Sequence, residues 1–164
     1  MERDLQLFPL MKTNAIRILE SKNVSHSVIE YSLDENLLDA VSVANKIGFE
    51  PERVFKTLVS RNEKNEINVF IIPGNYELDL KKAASASGSK RIEMIKVAEI
   101  QPLTGYIRGG CSPIGMKKLY PTFIDNSAEM FDNIAVSAGL RGMQIILSPN
   151  DLTRLINGIF ADLI

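Results

Sequence analysis

Short strand-type runs alternate irregularly with helix-type segments along this chain, and that order restricts the fold it can adopt. The apolar runs are about six residues long, as in residues 67–72 (INVFII) and 143–148 (MQIILS). This is the length of a strand, well below the roughly 18 residues of a membrane span. Seven or so strands and three or four helices follow without the regular βαβ period of a doubly wound sheet. We predict a mixed α/β fold, a mostly antiparallel curved sheet or barrel surrounded by helices.

Local signals define the segments of this fold. Helical spacing is found in 11–23, 37–49 and 78–88, and Asp79 and Gly48 are the expected start of the third helix and end of the second. A last helix is expected from Ser148 or Asp151 to Gly158. Strands are predicted at 24–32, 53–61, 66–73, 92–94, 121–125, 133–139 and 144–148, and a polar turn at 62–65 joins the second and third of these. We assign residues 1–10 to an N-terminal extension and 11–164 to one domain.

The composition limits the functional classes. The 164 residues carry a formal net charge of −1, which argues against a protein that coats nucleic acid but still allows a local patch for one strand end. The N-terminus has no apolar stretch typical of a signal peptide. One cysteine and one histidine permit no intramolecular disulfide and make a zinc site improbable, so no metal or cofactor is expected. The simplest interpretation is a soluble, cytoplasmic protein without membrane contact.

The segment Gly105–Gly115 (GYIRGGCSPIG) contains four glycines and a proline, too many for a regular helix or central strand. Cys111 lies there, but a cysteine nucleophile needs an activating base, and His26 lies on a predicted strand more than eighty residues earlier. A small loop residue is the favoured interpretation of Cys111. The segment also lacks the order of a phosphate-binding loop. Its remaining chemical use is the backbone N–H, which can bind a carbonyl oxygen or its oxyanion.

Four motifs occur in order: VFKTLV (54–59), LDLKKAASASGSKRIEM (78–94), TGYIRGGCSPIG followed by MKK (104–118), and VSAGLRGMQIIL (136–147). Together they resemble the YbaK branch of the aminoacyl-tRNA editing family over about residues 11–160. The resemblance implies a free-standing deacylase, of hydrolase or lyase type, that acts on Cys-tRNA(Pro), the product formed when prolyl-tRNA synthetase mistakes cysteine for proline. It also implies two partners: the aminoacylated 3′ end of tRNA, and prolyl-tRNA synthetase in a ternary complex with tRNA. A pocket sized for proline cannot strongly reject cysteine, so a second site must supply the discrimination.

The resemblance carries catalytic roles to three residues of this sequence. Lys56 matches a functional lysine that holds the charged 3′ end near the scissile ester; the competing interpretation is a surface lysine. Gly109 and Gly110 match a glycine pair whose backbone N–H groups bind the oxygen of the ester carbonyl. The competing interpretation is that both are ordinary turn glycines. Ser112 and Pro113 are expected to shape this loop, and Ser112 to contact substrate.

Four further substrate-binding residues follow from the resemblance. Tyr31 matches a pocket tyrosine; the competing interpretation is an aromatic side chain buried in the core. Ser137 and Arg141 fall on the SxGxRG turn. There Arg141 either contacts phosphate of the tRNA or forms a structural salt bridge. Gln144 departs from the family, because close relatives have an aspartate there. Glutamine can still hydrogen-bond but carries no charge and cannot act as a base.

The mechanism implied by the resemblance is substrate-assisted. The thiol of the misattached cysteine attacks its own ester carbonyl and leaves as a cyclic thiolactone, while the protein supplies orientation and backbone oxyanion stabilisation. Two other functions remain open at this point: a non-catalytic module that binds a nucleotide or aminoacyl ligand, which Gln144 favours, and a deacylase for another misacylated tRNA such as Ala-tRNA(Pro).

Overall fold

Helices pack on two β-sheets in the structure, a computed structural model that describes residues 12–33 and 39–164. The predicted extension at 1–10 lies outside the described residues. The helices are α1 (Asn14–Ser21), α2 (Ala40–Ile47), α3 (Leu80–Ser87), α4 (Val97–Thr104) and α5 (Pro149–Ile156). Short 3₁₀ turns span Pro51–Arg53 and Asn126–Met130. The strands are β1 (Ser27–Glu30), β2 (Phe55–Asn62), β3 (Ile67–Pro73), β4 (Ile92–Met94), β5 (Thr122–Asp125), β6 (Ile134–Ser137), β7 (Met143–Leu147) and β8 (Ile159–Ala161).

The strands form a five-stranded sheet in the order β4-β2-β3-β5-β8 and a three-stranded sheet in the order β1-β7-β6. The β3–β5 and β5–β8 pairs are parallel, and the other four pairs are antiparallel. The mixed, mostly antiparallel α/β prediction is therefore confirmed. The strands form two sheets rather than one, and the one bridge between these sheets among the described residues is the parallel bridge from Val54, just before β2, to Ala135 of β6.

Strand β3 is the centre of the molecule and is apolar on both faces, as its sequence predicted. Val69 and Ile71 pack into a core shared with α1 and α5. Phe70 and Ile72 pack on the other face with α3, and the Phe70 ring stacks on Phe123 at a centroid distance of 5.5 Å. Each of these four β3 side chains is fully buried. Burial on both faces makes β3 the frame that positions β2 beside it.

Local capping signals gave correct helix ends. Asp79 accepts hydrogen bonds from the N–H groups of Lys81 and Lys82, both at 3.0 Å, at the start of α3. Gly48 ends α2 with a φ of 77°, a left-handed conformation that glycine adopts without strain. Ser148 caps α5 through the N–H of Asp151 at 3.4 Å.

Two elements were not predicted, and one is shorter than predicted. Helix α4 contains Pro102, a residue type that is unfavourable in a helix interior, and β8 is only three residues long. The strand predicted at 24–32 is regular only over Ser27–Glu30, because only these residues pair with β7. Across the described ranges, no helix is long and apolar enough to cross a bilayer.

Candidate functional site

A cavity of about 370 Å³ lies where the two sheets separate. Residues 54–59 at the start of β2 form one wall, and α2, the glycine loop between α4 and β5, and the β6–β7 pair contribute the others. Five of the sequence-predicted site residues line this cavity: Tyr31, Lys56, Gly109, Ser137 and Gln144. Four others are not on its wall: Gly110, Ser112, Pro113 and Arg141.

Lys56 is held inside this cavity by the end of the neighbouring strand. Its side chain is half-buried, and Nζ donates to the carbonyl oxygen of Gly74 at 3.3 Å. Gly74 itself is packed against α2, because a Cβ built on it would lie 2.1 Å from the Cβ of Ala40. Only glycine therefore fits where β3 passes α2. The ammonium of Lys56 is the one lysine charge on the described cavity wall.

The glycine loop is fixed by internal hydrogen bonds of buried groups. Tyr106 Oη donates to the carbonyl of Ile114 at 2.6 Å, and Ser112 Oγ accepts from the Ile114 N–H at 3.2 Å. Ser112 is fully buried and Pro113 is buried beside it. Ser112 thus bonds within the loop, and the structure does not bring it to the cavity.

The turn Arg108–Gly109 presents backbone to the cavity. Gly109 has a φ of 82°, in the left-handed region. Arg141 Nε donates to the carbonyl of Arg108 at 2.9 Å and so stabilises the turn. This contact is neither the phosphate contact nor the salt bridge considered from the sequence. The Gly110 N–H donates to Ile107 at 3.0 Å and is not free to receive a carbonyl in this structure.

Cys111 lines the cavity, but its environment suppresses the thiolate. Burial raises the pKa of its thiol to about 11, so the group is protonated at neutral pH. His26 does not line the cavity, and its Nδ1 lies 2.8 Å from the carbonyl of Val24. The structure therefore forms no cysteine–histidine pair.

Tyr31 and Gln144 meet at the opposite wall. Gln144 lies on β7 opposite Ser137 of β6 and Ile29 of β1. Its Nε2 donates to Tyr31 Oη at 3.4 Å, while its buried Oε1 has no partner among the described residues. An unpaired buried acceptor is unfavourable, so this atom is suited to a ligand that brings a hydrogen-bond donor.

Sequence reasoning missed several lining residues, among them Asp39, Arg108 and the apolar group Met94, Ile95 and Ile100. Asp39 carries the typical signal of a helix start, and its side chain accepts from the Ser42 N–H at 2.9 Å. That bond lowers the pKa of the Asp39 carboxyl, which stays ionised at neutral pH. Its position beside the cavity depends on tertiary packing.

Within residues 12–33 and 39–164, no cluster of three or more His, Cys, Asp or Glu side chains could hold a metal ion. The cavity instead offers one lysine and one arginine cation, one carboxylate, backbone amides and apolar surface. Such a set can position a polar ligand and stabilise developing negative charge.

Known proteins with similar sequences and folds indicate which family this cavity belongs to. A family model described as the aminoacyl-tRNA editing domain matches residues 34–155. The chain is 50% identical over 152 residues, 93% of each chain, to an Enterococcus faecalis protein provisionally named a Cys-tRNA(Pro)/Cys-tRNA(Cys) deacylase, EbsC. It is 26% identical to the proline–tRNA ligase of Shouchella clausii over 74% of this chain and 21% of that protein. A solved structure provisionally described as a trans-editing enzyme for prolyl tRNA synthetase is 26% identical, with a TM-score of 0.80 over 93% of this chain and 98% of the other.

Proposed function

The chain belongs to the aminoacyl-tRNA editing domain family, and we propose that it is a deacylase that removes cysteine from mischarged Cys-tRNA(Pro). The observation that carries this proposal is the cavity, which combines Lys56 and Gly109 with apolar surface. The half-identical relative named for the same activity supports the choice of substrate. The reaction releases an amino acid from the 3′ end of the tRNA.

The substrate supplies the nucleophile in this proposal. Its thiol sulfur attacks the ester carbonyl carbon, a sulfur–carbon bond forms, and the bond from that carbon to the ribose oxygen breaks. The thiol proton passes to the departing ribose oxygen, so the products are a cyclic thiolactone and uncharged tRNA. This route fits a cavity in which Cys111 is protonated and which Ser112 and His26 do not line.

The protein's contribution is orientation and charge stabilisation. The Gly109 N–H is the backbone donor for the oxyanion, and Lys56 holds the negatively charged 3′ end close to it. The Gly110 N–H has no part in this form of the proposal, since it is already bonded within its turn. Losing one oxyanion donor typically slows such reactions by about 10²–10³-fold.

The deciding experiment compares deacylation of Cys-tRNA(Pro), Ser-tRNA(Pro) and Ala-tRNA(Pro) by the wild type, Lys56→Ala and Lys64→Ala. Lys64 is the matched control, because it lies exposed in the β2–β3 turn away from the cavity. We expect rapid loss of the cysteinyl ester, a decrease of at least ~100-fold in Lys56→Ala, and no change in Lys64→Ala. Equal loss of all three esters would point to water as the nucleophile, and no turnover of any ester would refute the deacylase.

We also propose that the choice of tRNA is shared with prolyl-tRNA synthetase. A chain of 164 residues with a net charge of −1 offers little basic surface for reading a whole tRNA. A domain similar to this chain occurs within a proline–tRNA ligase, which supports a functional link. The test is a pulldown of the synthetase with and without tRNA(Pro), and an interaction that is absent in both conditions argues against the ternary complex.

A further inference from the structure

Strand β2 has an unpaired edge inside the cavity. On one side it pairs with β3 from Phe55 to Arg61. On the other side it pairs with β4 only from Ser60 to Asn62, and the one bridge towards β6 among the described residues joins Val54, just before β2, to Ala135. Residues 55–59 thus have no strand partner on this side among the described residues, and all five line the cavity.

The alternation of backbone groups identifies which residue faces that gap. Val54 turns its carbonyl towards β3, where it accepts from the Gly74 N–H at 2.7 Å. Val59 turns its carbonyl the other way, where it accepts from the Ile95 N–H at 3.2 Å. Because successive strand residues direct their N–H and C=O to opposite sides, Thr57 shares the orientation of Val59. Both backbone groups of Thr57 therefore point into the gap.

Two further features describe what the gap can hold. Thr57 Oγ1 is buried and has no hydrogen-bond partner among the described residues, so a third polar group is unsatisfied at the same residue. The unpaired stretch is only five residues long, because β4 pairs from Ser60 onwards and the bridge to β6 lies at Val54. Met94, Ile95 and Ile100 line the same cavity, and Ile95 adjoins Val59. A short edge with one free donor and one free acceptor suits a compact group that carries an adjacent donor and acceptor.

We infer that Thr57 binds the adenine base of the terminal adenosine of the tRNA. The N6 amino group donates to the Thr57 carbonyl, and N1 accepts from the Thr57 N–H, a reading of the Watson–Crick edge that proteins commonly apply to unstacked bases. The Thr57 hydroxyl bonds the ribose, and the apolar side chains flank the ring. This inference rests on the proposed function for the identity of the nucleotide, since a tRNA ends in adenosine.

The test is a titration of ¹⁵N-labelled wild-type protein with adenosine monophosphate, followed by amide chemical shifts. We expect the Thr57 amide to shift. The 1-deaza analogue, which lacks the N1 acceptor, should bind ~10-fold more weakly or less well, while the 3-deaza analogue, altered on the other edge, should bind like the parent. Equal binding of the two analogues, or binding without a shift at Thr57, overturns the inference. So does a Thr57 shift caused by cysteine methyl ester and not by adenosine monophosphate.

Two variants separate this inference from the proposed function. Thr57→Val keeps the shape and the backbone but removes the hydroxyl, and we expect ~10-fold weaker binding of adenosine monophosphate; Thr57→Ser should bind like the wild type. Base-dependent binding without deacylation of any ester refutes the proposed function alone. Deacylation that is insensitive to N1 of the terminal base refutes the inference alone.

Discussion

Cys111 lies in the site, but its thiol is not in the reactive form. It lies on the cavity wall, yet the apolar surroundings that bury it raise the pKa of its thiol to about 11. A thiol needs its thiolate form to act as a nucleophile. Proximity to the site is therefore no evidence of catalysis by this residue.

Replacement of the thiol tests this distinction. We expect Cys111→Ala to deacylate Cys-tRNA(Pro) within about 3-fold of the wild-type rate, because a protonated thiol supplies little nucleophile. The measurement is single-turnover deacylation between pH 6 and pH 9, with Lys56→Ala as the inactive reference. A loss comparable with that of Lys56→Ala would restore Cys111 as a nucleophile.

Gly139 packs directly against the ring of Tyr106, so this position has no room for a side chain. Its φ is 105°, and a Cβ built on it would lie 2.6 Å from Tyr106 Cε1. Gly139→Ala should lower the free energy of unfolding by about 2–4 kcal/mol, because it combines backbone strain with overpacking.

Gly88 provides the matched control for this substitution. It has a φ of 66°, but a Cβ there would meet nothing within 4 Å. Gly88→Ala should therefore cost only about 1–2 kcal/mol of backbone strain. Urea unfolding of both variants measures the difference, and equal losses would show that the contact with Tyr106 is unimportant.

At the scale of elements, α4 shows why part of the site could not be predicted. Pro102 lies inside this helix, where proline normally removes a backbone hydrogen bond, and an ion pair ties the helix to β2. Arg61 reaches from β2 to Glu99 with two contacts of 2.9 and 3.0 Å, and Glu99 also accepts from the Lys96 N–H at 2.8 Å. Local propensity was overruled by contacts between residues far apart in sequence.

The Arg61–Glu99 pair gives a pH-dependent contribution to stability. Hydrogen bonds from Arg61 and the Lys96 N–H lower the pKa of Glu99 from 4.5 to about 2 in the folded chain. The contribution is therefore fully present above pH 4.5 and is lost as the pH falls towards 2. We expect the difference in urea midpoint between the wild type and Glu99→Gln to shrink across this interval. A difference that stays constant from pH 7 to pH 2 would contradict the assignment.

The sequence predicted the local features of this site better than its assembly. The caps Asp79 and Gly48 were identifiable because their signals lie within one turn of the chain. Lys56 and Gln144 were found through motifs. The cavity positions of Asp39 and Ile100 were not predictable, since they depend on segments far apart in sequence meeting around one cavity. Strand β8 was missed because its three residues pair in parallel with the distant β5.

At the scale of the whole molecule, stability is concentrated around β3. Ile71 is fully buried at the centre of the main core, whereas Ile159 on the edge strand β8 is 58% exposed. Ile71→Ala should cost about 2–5 kcal/mol of unfolding free energy, because it leaves a cavity in a packed interior. Ile159→Ala should change it by less than about 1 kcal/mol. Thermal or urea unfolding measures both, and similar values would place the stabilising core elsewhere.

The separation of the two sheets also determines when the molecule becomes competent during its own synthesis. The cavity draws Tyr31 from the start of the described chain, Lys56 and Gly109 from its middle, and Gln144 from β7 near its end. While β7 is still inside the ribosomal tunnel, a nascent chain has only part of this wall and cannot form the Tyr31–Gln144 contact. A nascent polypeptide consequently completes this wall only after residues up to Leu147 have emerged, so the cavity cannot assemble from the upstream strands alone.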